Sequence, residues 1–214
     1  MIRAVFFSTQ LQKAVLFIAI TALWVTGCSI SIGGPKNIPT PSIAASDLLL
    51  DALALPPRWT VNPCKPDCDP GLVTAQRSFG IVGVPGHVLQ DVFYLGSEKA
   101  AQEKFHTYYE KDFGKSSVRS PSSEFTSPPE ITYRSSIADE QYLGCGVDVV
   151  PACRAILRYD SYFVYFYFSL ERGFADGAEI EADGLTLEQV ETILRAMDER
   201  AARMLGAEAK PPGG

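Results

Sequence analysis

Histidine is scarce in this chain, with only His87 and His106 among 214 residues. Neither sits at metal-ligand spacing from a second histidine or a cysteine, which removes histidine-rich metal motifs. No Gly-x-Ser-x-Gly elbow is present to set a nucleophile on a strand-to-helix turn. No glycine-rich loop follows a strand, so a phosphate cradle of the P-loop or dinucleotide type is excluded. Positive charge is also short. Lys and Arg number 19 against 25 Asp and Glu, giving a net charge of −6. An acidic chain is repelled by nucleic acid and by anionic lipid, so neither is expected as a partner through charge. No internal repeat is visible.

What is present begins at the N-terminus. Arg3 and Lys13 precede the run Ala14–Trp24 (AVLFIAITALW), 11 residues without a charge. A spanning helix needs about 20 apolar residues, so the run suits the core of a secretory signal. Val25-Thr26-Gly27-Cys28 follows. These residues resemble the lipobox of bacterial lipoproteins, in which a small aliphatic tripeptide precedes a cysteine. The resemblance implies diacylglyceryl transfer to the Cys28 thiol, cleavage after Gly27 and acylation of the new amine. Two or three acyl chains, at about 0.8 kcal/mol per buried methylene, anchor a protein stably. Membrane lipid is thus the first expected partner. The expected location is the cell membrane or the outer membrane, with the domain facing the periplasm or the outside. Ser29 resembles the outer-membrane sorting class. Losing residues 1–27 leaves 187 residues and, without Arg3 and Lys13, takes −6 to −8. Residues 28–45 read as the lipidated cysteine and a Gly/Pro tether, 46–206 as one domain, and 207–214 as a tail.

Four further cysteines remain, in two local pairs: Cys64 with Cys68, and Cys145 with Cys153. In an exported chain they are disulfide candidates. Three connectivities are open, the two local bridges closing the shortest loops. A four-cysteine zinc site is the rival. Its usual two-residue gaps are replaced here by gaps of three and seven. No metal or cofactor is expected. Asp67 and Asp69 flank Cys68 without the carboxylate spacing of an EF-hand.

Periodicity then gives the elements. Ser46 to Leu55 reads as a short helix with Leu49, Leu50 and Leu53 inward, stopped by Pro56-Pro57. Leu72–Ile81 and His87–Leu95 read as an antiparallel hairpin, with Gln90 an exception on the face of Val88, Val92 and Tyr94. Ser97 caps a helix that Gly114 closes. Lys115–Glu130 is a Ser/Pro-rich loop. Ile131–Ser135, Ala138–Gly146, Arg154–Tyr159 and Tyr162–Leu170 read as extended. Arg172–Gly184 reads as an acidic loop. Thr186 and Gln189 make a capping box for a last helix, with Val190, Ile193, Leu194, Met197, Ala201, Met204 and Leu205 as its apolar stripe.

Tyr162–Leu170 (YFVYFYFSL) is aromatic on both faces, which marks a central strand covered on both sides. Phe163, Tyr165 and Tyr167 form the face that a ring-shaped ligand would use, if they are not simply a layer beneath a helix. Carboxylates such as Asp139, Glu140, Asp148, Glu171 and Asp176 read as solvated surface charges.

These elements predict an α+β domain: a single antiparallel sheet of five or more strands packed by two main helices. The order is distantly similar to the α-β-α sandwiches of Mog1/PsbP-like proteins, and that resemblance implies a non-catalytic binding or assembly module. The expected function is an envelope lipoprotein that binds a protein partner or small ligand without chemistry. The alternatives are an envelope hydrolase using His87 or His106, and a structural surface protein.

Overall fold

The aromatic strand sets the architecture. A computed structural model describes residues 38–62, 73–83, 86–114, 125–147, 150–175 and 178–206. The expectations for residues 1–37, Cys64, Cys68, Asp148, Asp176 and 207–214 fall outside the described residues. The strands are β1 (Thr60–Val61), β2 (Thr74–Gly80), β3 (His87–Tyr94), β4 (Glu140–Val147), β5 (Pro151–Tyr159) and β6 (Tyr162–Ser169), with a hairpin of β7 (Arg172–Ala175) and β8 (Ala178–Glu181). Helix α1 spans Glu98–Phe113 and α2 spans Leu187–Leu205. The six-stranded sheet has the order β1-β2-β3-β6-β5-β4, with every pairing antiparallel. β6 therefore lies inside the sheet between β3 and β5, as its two apolar faces require.

The pleat sorts side chains between two layers. Even-numbered residues of β6 (Tyr162, Val164, Phe166 and Phe168) join Val190, Ile193, Leu194 and Met197 of α2 in the larger core. Phe163 of β6 and Ile156 of β5 meet Phe105 of α1 in a second, smaller core on the opposite face. The result is the expected α+β sandwich with one helix on each face. α1 begins where Ser97 Oγ accepts the Ala100 N–H at 3.2 Å. α2 has the expected capping box, with Gln189 N–H donating to Thr186 Oγ1 at 3.2 Å and Thr186 N–H to Gln189 Oε1 at 3.0 Å. Gly206, at φ 64°, closes it in the left-handed conformation that glycine adopts without strain. Among the described residues no helix is long and apolar enough to cross a membrane.

Three expectations are corrected. The segment read as a helix over Ser46–Leu55 forms two short 3₁₀ turns, Ala45–Leu48 and Ala52–Ala54. Leu48, Leu49 and Leu50 are all buried, while Leu53 is 97% exposed. Three consecutive buried leucines do not fit one helical face. The neighbours also compete for its backbone. Gln90, fully buried on β3, donates to Leu48 O at 3.1 Å and accepts from Leu50 N at 2.8 Å. Arg77 donates to Leu50 O at 2.6 Å and Arg200 to Asp47 O at 2.7 Å. A ten-residue helix is marginal by itself, and these tertiary bonds outweigh it. Second, Ile131–Ser135 is not a strand. Its end is a turn in which Ser135 Oγ accepts the N–H groups of Ile137 and Ala138. Third, the loop expected over Arg172–Gly184 carries the β7–β8 hairpin.

Gln90 thus explains its own exception to the apolar pattern. Gln90→Leu is expected to destabilise the domain by about 2 kcal/mol, because it strands a buried N–H and a buried C=O of the 3₁₀ segment. A urea midpoint unchanged from wild type would refute that role.

Packing also starts earlier than the expected boundary at residue 46. Residues from Ile38 onward belong to one compact unit. Ile43 packs on the main core, and its carbonyl accepts the Tyr162 hydroxyl at 2.6 Å.

Candidate functional site

Register decides which sequence-predicted residues meet. On the α1 face of β6, Phe163 is fully buried, 4.9 Å ring to ring from Tyr108 and 6.0 Å from Phe93. It is a core residue. Tyr165 is half-buried against the edge of Tyr108 at 5.6 Å. Burial raises its hydroxyl pKa, with the nearby Arg154 pulling the other way and Asp112 and Asp91 adding to the rise. Tyr167, also half-buried, stacks on the exposed His87 at 5.0 Å and 19°. The three residues therefore do not form one open platform: the first is covered by α1, and the others pack sideways.

Beside them lies a buried ion pair that the sequence reading did not find. Arg154 of β5 donates to Asp112 of α1 at 2.9 Å, and the two side chains are only 6% and 4% exposed. The guanidinium also lies over the Phe125 ring at 4.4 Å. This pair ties the last turn of α1 to the sheet. Gly144 on β4 allows that approach, since a Cβ there would fall 2.9 Å from the Phe113 ring.

The two histidines stay apart in role. His87 stacks as described. His106 lies on α1 with Nε2 3.5 Å from Glu140 Oε1 and its side chain 57% exposed. Among the described residues neither imidazole is hydrogen-bonded to a serine, threonine or cysteine side chain. Glu140 and Asp139 are not simply solvated charges. Both bind the buried guanidinium of Arg158, at 2.5 and 3.2 Å, and Glu98 joins at 3.3 Å. Glu171, by contrast, pairs with exposed Arg172 at 3.4 Å.

Cys145 and Cys153 form a disulfide with Cα atoms 4.0 Å apart. They are direct cross-strand partners of β4 and β5. The backbone N–H and C=O of Cys145 point away from β5, to Thr126. The pair is thus a non-hydrogen-bonded one, the closely spaced position of an antiparallel ladder. In the chain-entropy account, closing a loop of this size stabilises by about 2.5 kcal/mol. Among the described residues no cluster of histidine, cysteine or carboxylate groups is arranged for a metal.

Two hollows remain. One, about 460 Å³, lies beside the disulfide, with Thr126, Cys145, Leu170, Gly173, Leu185 and Leu187 among its walls. The other, about 490 Å³, opens at the opposite end of the sheet. Its floor is built by register. Tyr94 of β3, Tyr162 of β6 and Tyr159 of β5 are consecutive cross-strand partners, so their rings line up on the α2 face. The first two rings stand 5.1 Å apart. Leu205 at the end of α2, Ile137 and Ile43 supply apolar wall, and Asp139, Asp160 and Ser161 the polar rim. Asp160 sits in the tight β5–β6 turn at φ 52°, a conformation that aspartate tolerates better than most residues. Its N–H donates to Asp139 Oδ2 at 2.6 Å. The Tyr162 hydroxyl pKa is raised, first by burial and then by Tyr94, with the carboxylates of Asp160 and Asp47 contributing against the Ile43 carbonyl bond.

No family model, curated protein or solved structure gives a match to this chain. The likeness to Mog1/PsbP-like sandwiches accordingly rests on element order alone.

Proposed function

We propose that this chain is an exported envelope lipoprotein, held at a membrane by acylated Cys28, whose domain binds a small ligand or a protein partner without chemistry. The observation that carries the anchor is the sequence Val25-Thr26-Gly27-Cys28 closing an 11-residue apolar run that starts after Lys13. The Cys145–Cys153 bridge supports export, because such bonds persist in oxidising compartments. Binding is supported by the hollow over Tyr94, Tyr159 and Tyr162, which combines aromatic walls with a few polar groups, as ligand sites do. The histidines are engaged elsewhere, His87 stacked on Tyr167 and His106 facing Glu140. That arrangement favours binding over the hydrolase alternative.

Intact mass of the protein purified from host membranes without reductant tests the anchor. The expected mass begins at Cys28, carries two or three acyl chains, and lacks two protons for each bridge. Cys28→Ala should leave the protein unacylated with its leader uncut. A wild-type mass that keeps residues 1–27 and carries no lipid would overturn the proposal.

A further inference from the structure

We infer that the hollow beside the Cys145–Cys153 bridge is a binding site for an uncharged aliphatic chain. The inference rests on the reading of this domain as a binding module, gives that module a ligand class, and places the ligand at the other end of the sheet from the tyrosines. Accessible walls are the first support. Pro128, Cys145, Gly146, Gly173 and Leu187 line the hollow and are all half-buried, so each keeps surface that a ligand can reach. Behind them Leu170 and Leu185 are closed into the main core. At about 460 Å³ the hollow falls within the range of small-ligand sites, about 300 to 1,000 Å³.

The walls are also fixed. Cys145 N–H donates to Thr126 O at 2.7 Å and Thr126 N–H to Cys145 O at 3.0 Å, which holds the segment after Phe125 on β4. Leu185 N–H donates to Ser169 O at 2.8 Å and Glu171 N–H to Leu185 O at 3.0 Å, which ties the start of α2 to the end of β6. Gly173 brings β7 against β5, since a Cβ there would stand 2.7 Å from Pro151 Cβ. Walls pinned in this way hold the hollow open, so a ligand does not have to order them on binding.

Their chemistry selects the ligand. Among the described residues the walls carry no aromatic ring on which a planar ligand would stack. Leucine, proline and disulfide sulfur offer apolar contact, which a flexible methylene chain meets without losing any hydrogen bond to water. Charge stays at the rim. Glu171 and Arg172 face each other at 3.4 Å with 41% and 63% of their side chains exposed, where water screens them. Carrying a charge into the apolar part would cost its hydration. Thr186 Oγ1 on the wall already accepts the Gln189 N–H, which leaves its O–H to donate to an oxygen at the head of the chain.

Photolabelling of the full-length protein in lipid nanodiscs with diazirine-bearing primary alkanols of six, eight and ten carbons tests this. Label should fall on the peptides that carry Pro128 and Leu187. The free alkanol concentration that gives half-maximal label should drop about fourfold for each added methylene. Thr126→Trp and Glu130→Trp each bring a ring into the hollow from an exposed position and should abolish that label, with an unchanged melting temperature as the check on folding. Ser42→Trp crowds the hollow at the opposite end and should leave the label unchanged. An alkanol of equal length with an ammonium at its far end should not label. Label spread evenly over the surface, half-maximal concentrations independent of chain length, equal labelling by the charged probe, or label retained in both folded tryptophan variants of the hollow would each overturn the inference. Label confined to the hollow lined by Ser42 would overturn it as well, while keeping the reading of the domain as a binding module. The acyl mass of the same sample reports on the anchor separately.

Discussion

Arg158→Ala is expected to cost the domain about 3 kcal/mol, at the lower end of the range for breaking a buried ion pair. The Arg158 side chain is 6% exposed and reaches three carboxylates. Removing it takes from Glu98, Asp139 and Glu140 the buried guanidinium that they share. Their exposures decide the size of the effect. Glu98 is 66% exposed, so its bond is screened and contributes little, whereas Asp139 and Glu140 are 26% and 22% exposed. The damage should spread along the chain as well. Asp139 Oδ2, one of the oxygens held by Arg158, also accepts the N–H of Asp160. Loss of the guanidinium therefore loosens the β5–β6 turn. Arg158→Lys keeps the charge but cannot fork between Glu140 and Asp139, so its cost should be intermediate. The double change Arg158→Met with Glu140→Gln should recover part of the loss, because the pair is removed together with its unsatisfied partner. Urea unfolding followed by circular dichroism measures all three. An Arg158→Ala loss below about 1 kcal/mol would show that the network is solvated and structurally idle.

Arg158 also marks where the sequence stopped being legible. Alternation located β3 and β6 and their two faces, because burial of one face imposes a period of two that any run of apolar residues displays. Capping chemistry located both helices to the residue, since Ser97, Thr186 and Gln189 act on neighbours within three positions. The disulfide between Cys145 and Cys153 was visible as a local pair. The polar core was not. Arg154 and Arg158 share a parity on β5, and their partners come from α1 and β4, 18 to 60 residues away in the chain. Nothing local distinguishes such an arginine from a solvated one. Gln90 and Asp198 left a fainter signal: each is a polar residue at a position that its own element's period assigns to the core. The short helix over Ser46–Leu55 failed for the converse reason, since its fate was set by Gln90, Arg77 and Arg200. The tyrosine-floored hollow had no sequence signature, because Tyr94, Tyr159 and Tyr162 become neighbours only through sheet register.

Asp198 carries the second large expectation. It lies on the apolar stripe of α2, four residues beyond Leu194, and is 4% exposed. The Tyr159 hydroxyl donates to one of its oxygens at 2.7 Å and the Tyr133 hydroxyl to the other. Arg195 covers the Tyr133 ring at 4.1 Å. Asp198→Ala removes the acceptor for both hydroxyls and leaves a void beneath α2. Tyr159 is fully buried and has no route to water, so the expected loss is about 3 to 4 kcal/mol. Asp198→Asn keeps one acceptor oxygen, and its amide can donate to a reoriented hydroxyl, so about 1 kcal/mol is expected. The same site makes a prediction about pH. Burial raises both hydroxyls, and the carboxylate adds to the rise in each. The folded pKa values thus stand above the unfolded value of about 10. The stabilisation is complete below pH 10, where both states hold the proton, and falls as pH rises further, because the unfolded chain ionises first. Each tyrosine kept protonated should steepen the fall by about 1.4 kcal/mol per pH unit. In Asp198→Asn the carboxylate contribution disappears and burial remains, so the alkaline slope should persist while tyrosinate absorbance appears at lower pH than in wild type. Tyrosinate appearing at the same pH in both proteins would mean that desolvation alone holds these hydroxyls, and that Asp198 serves only as their acceptor.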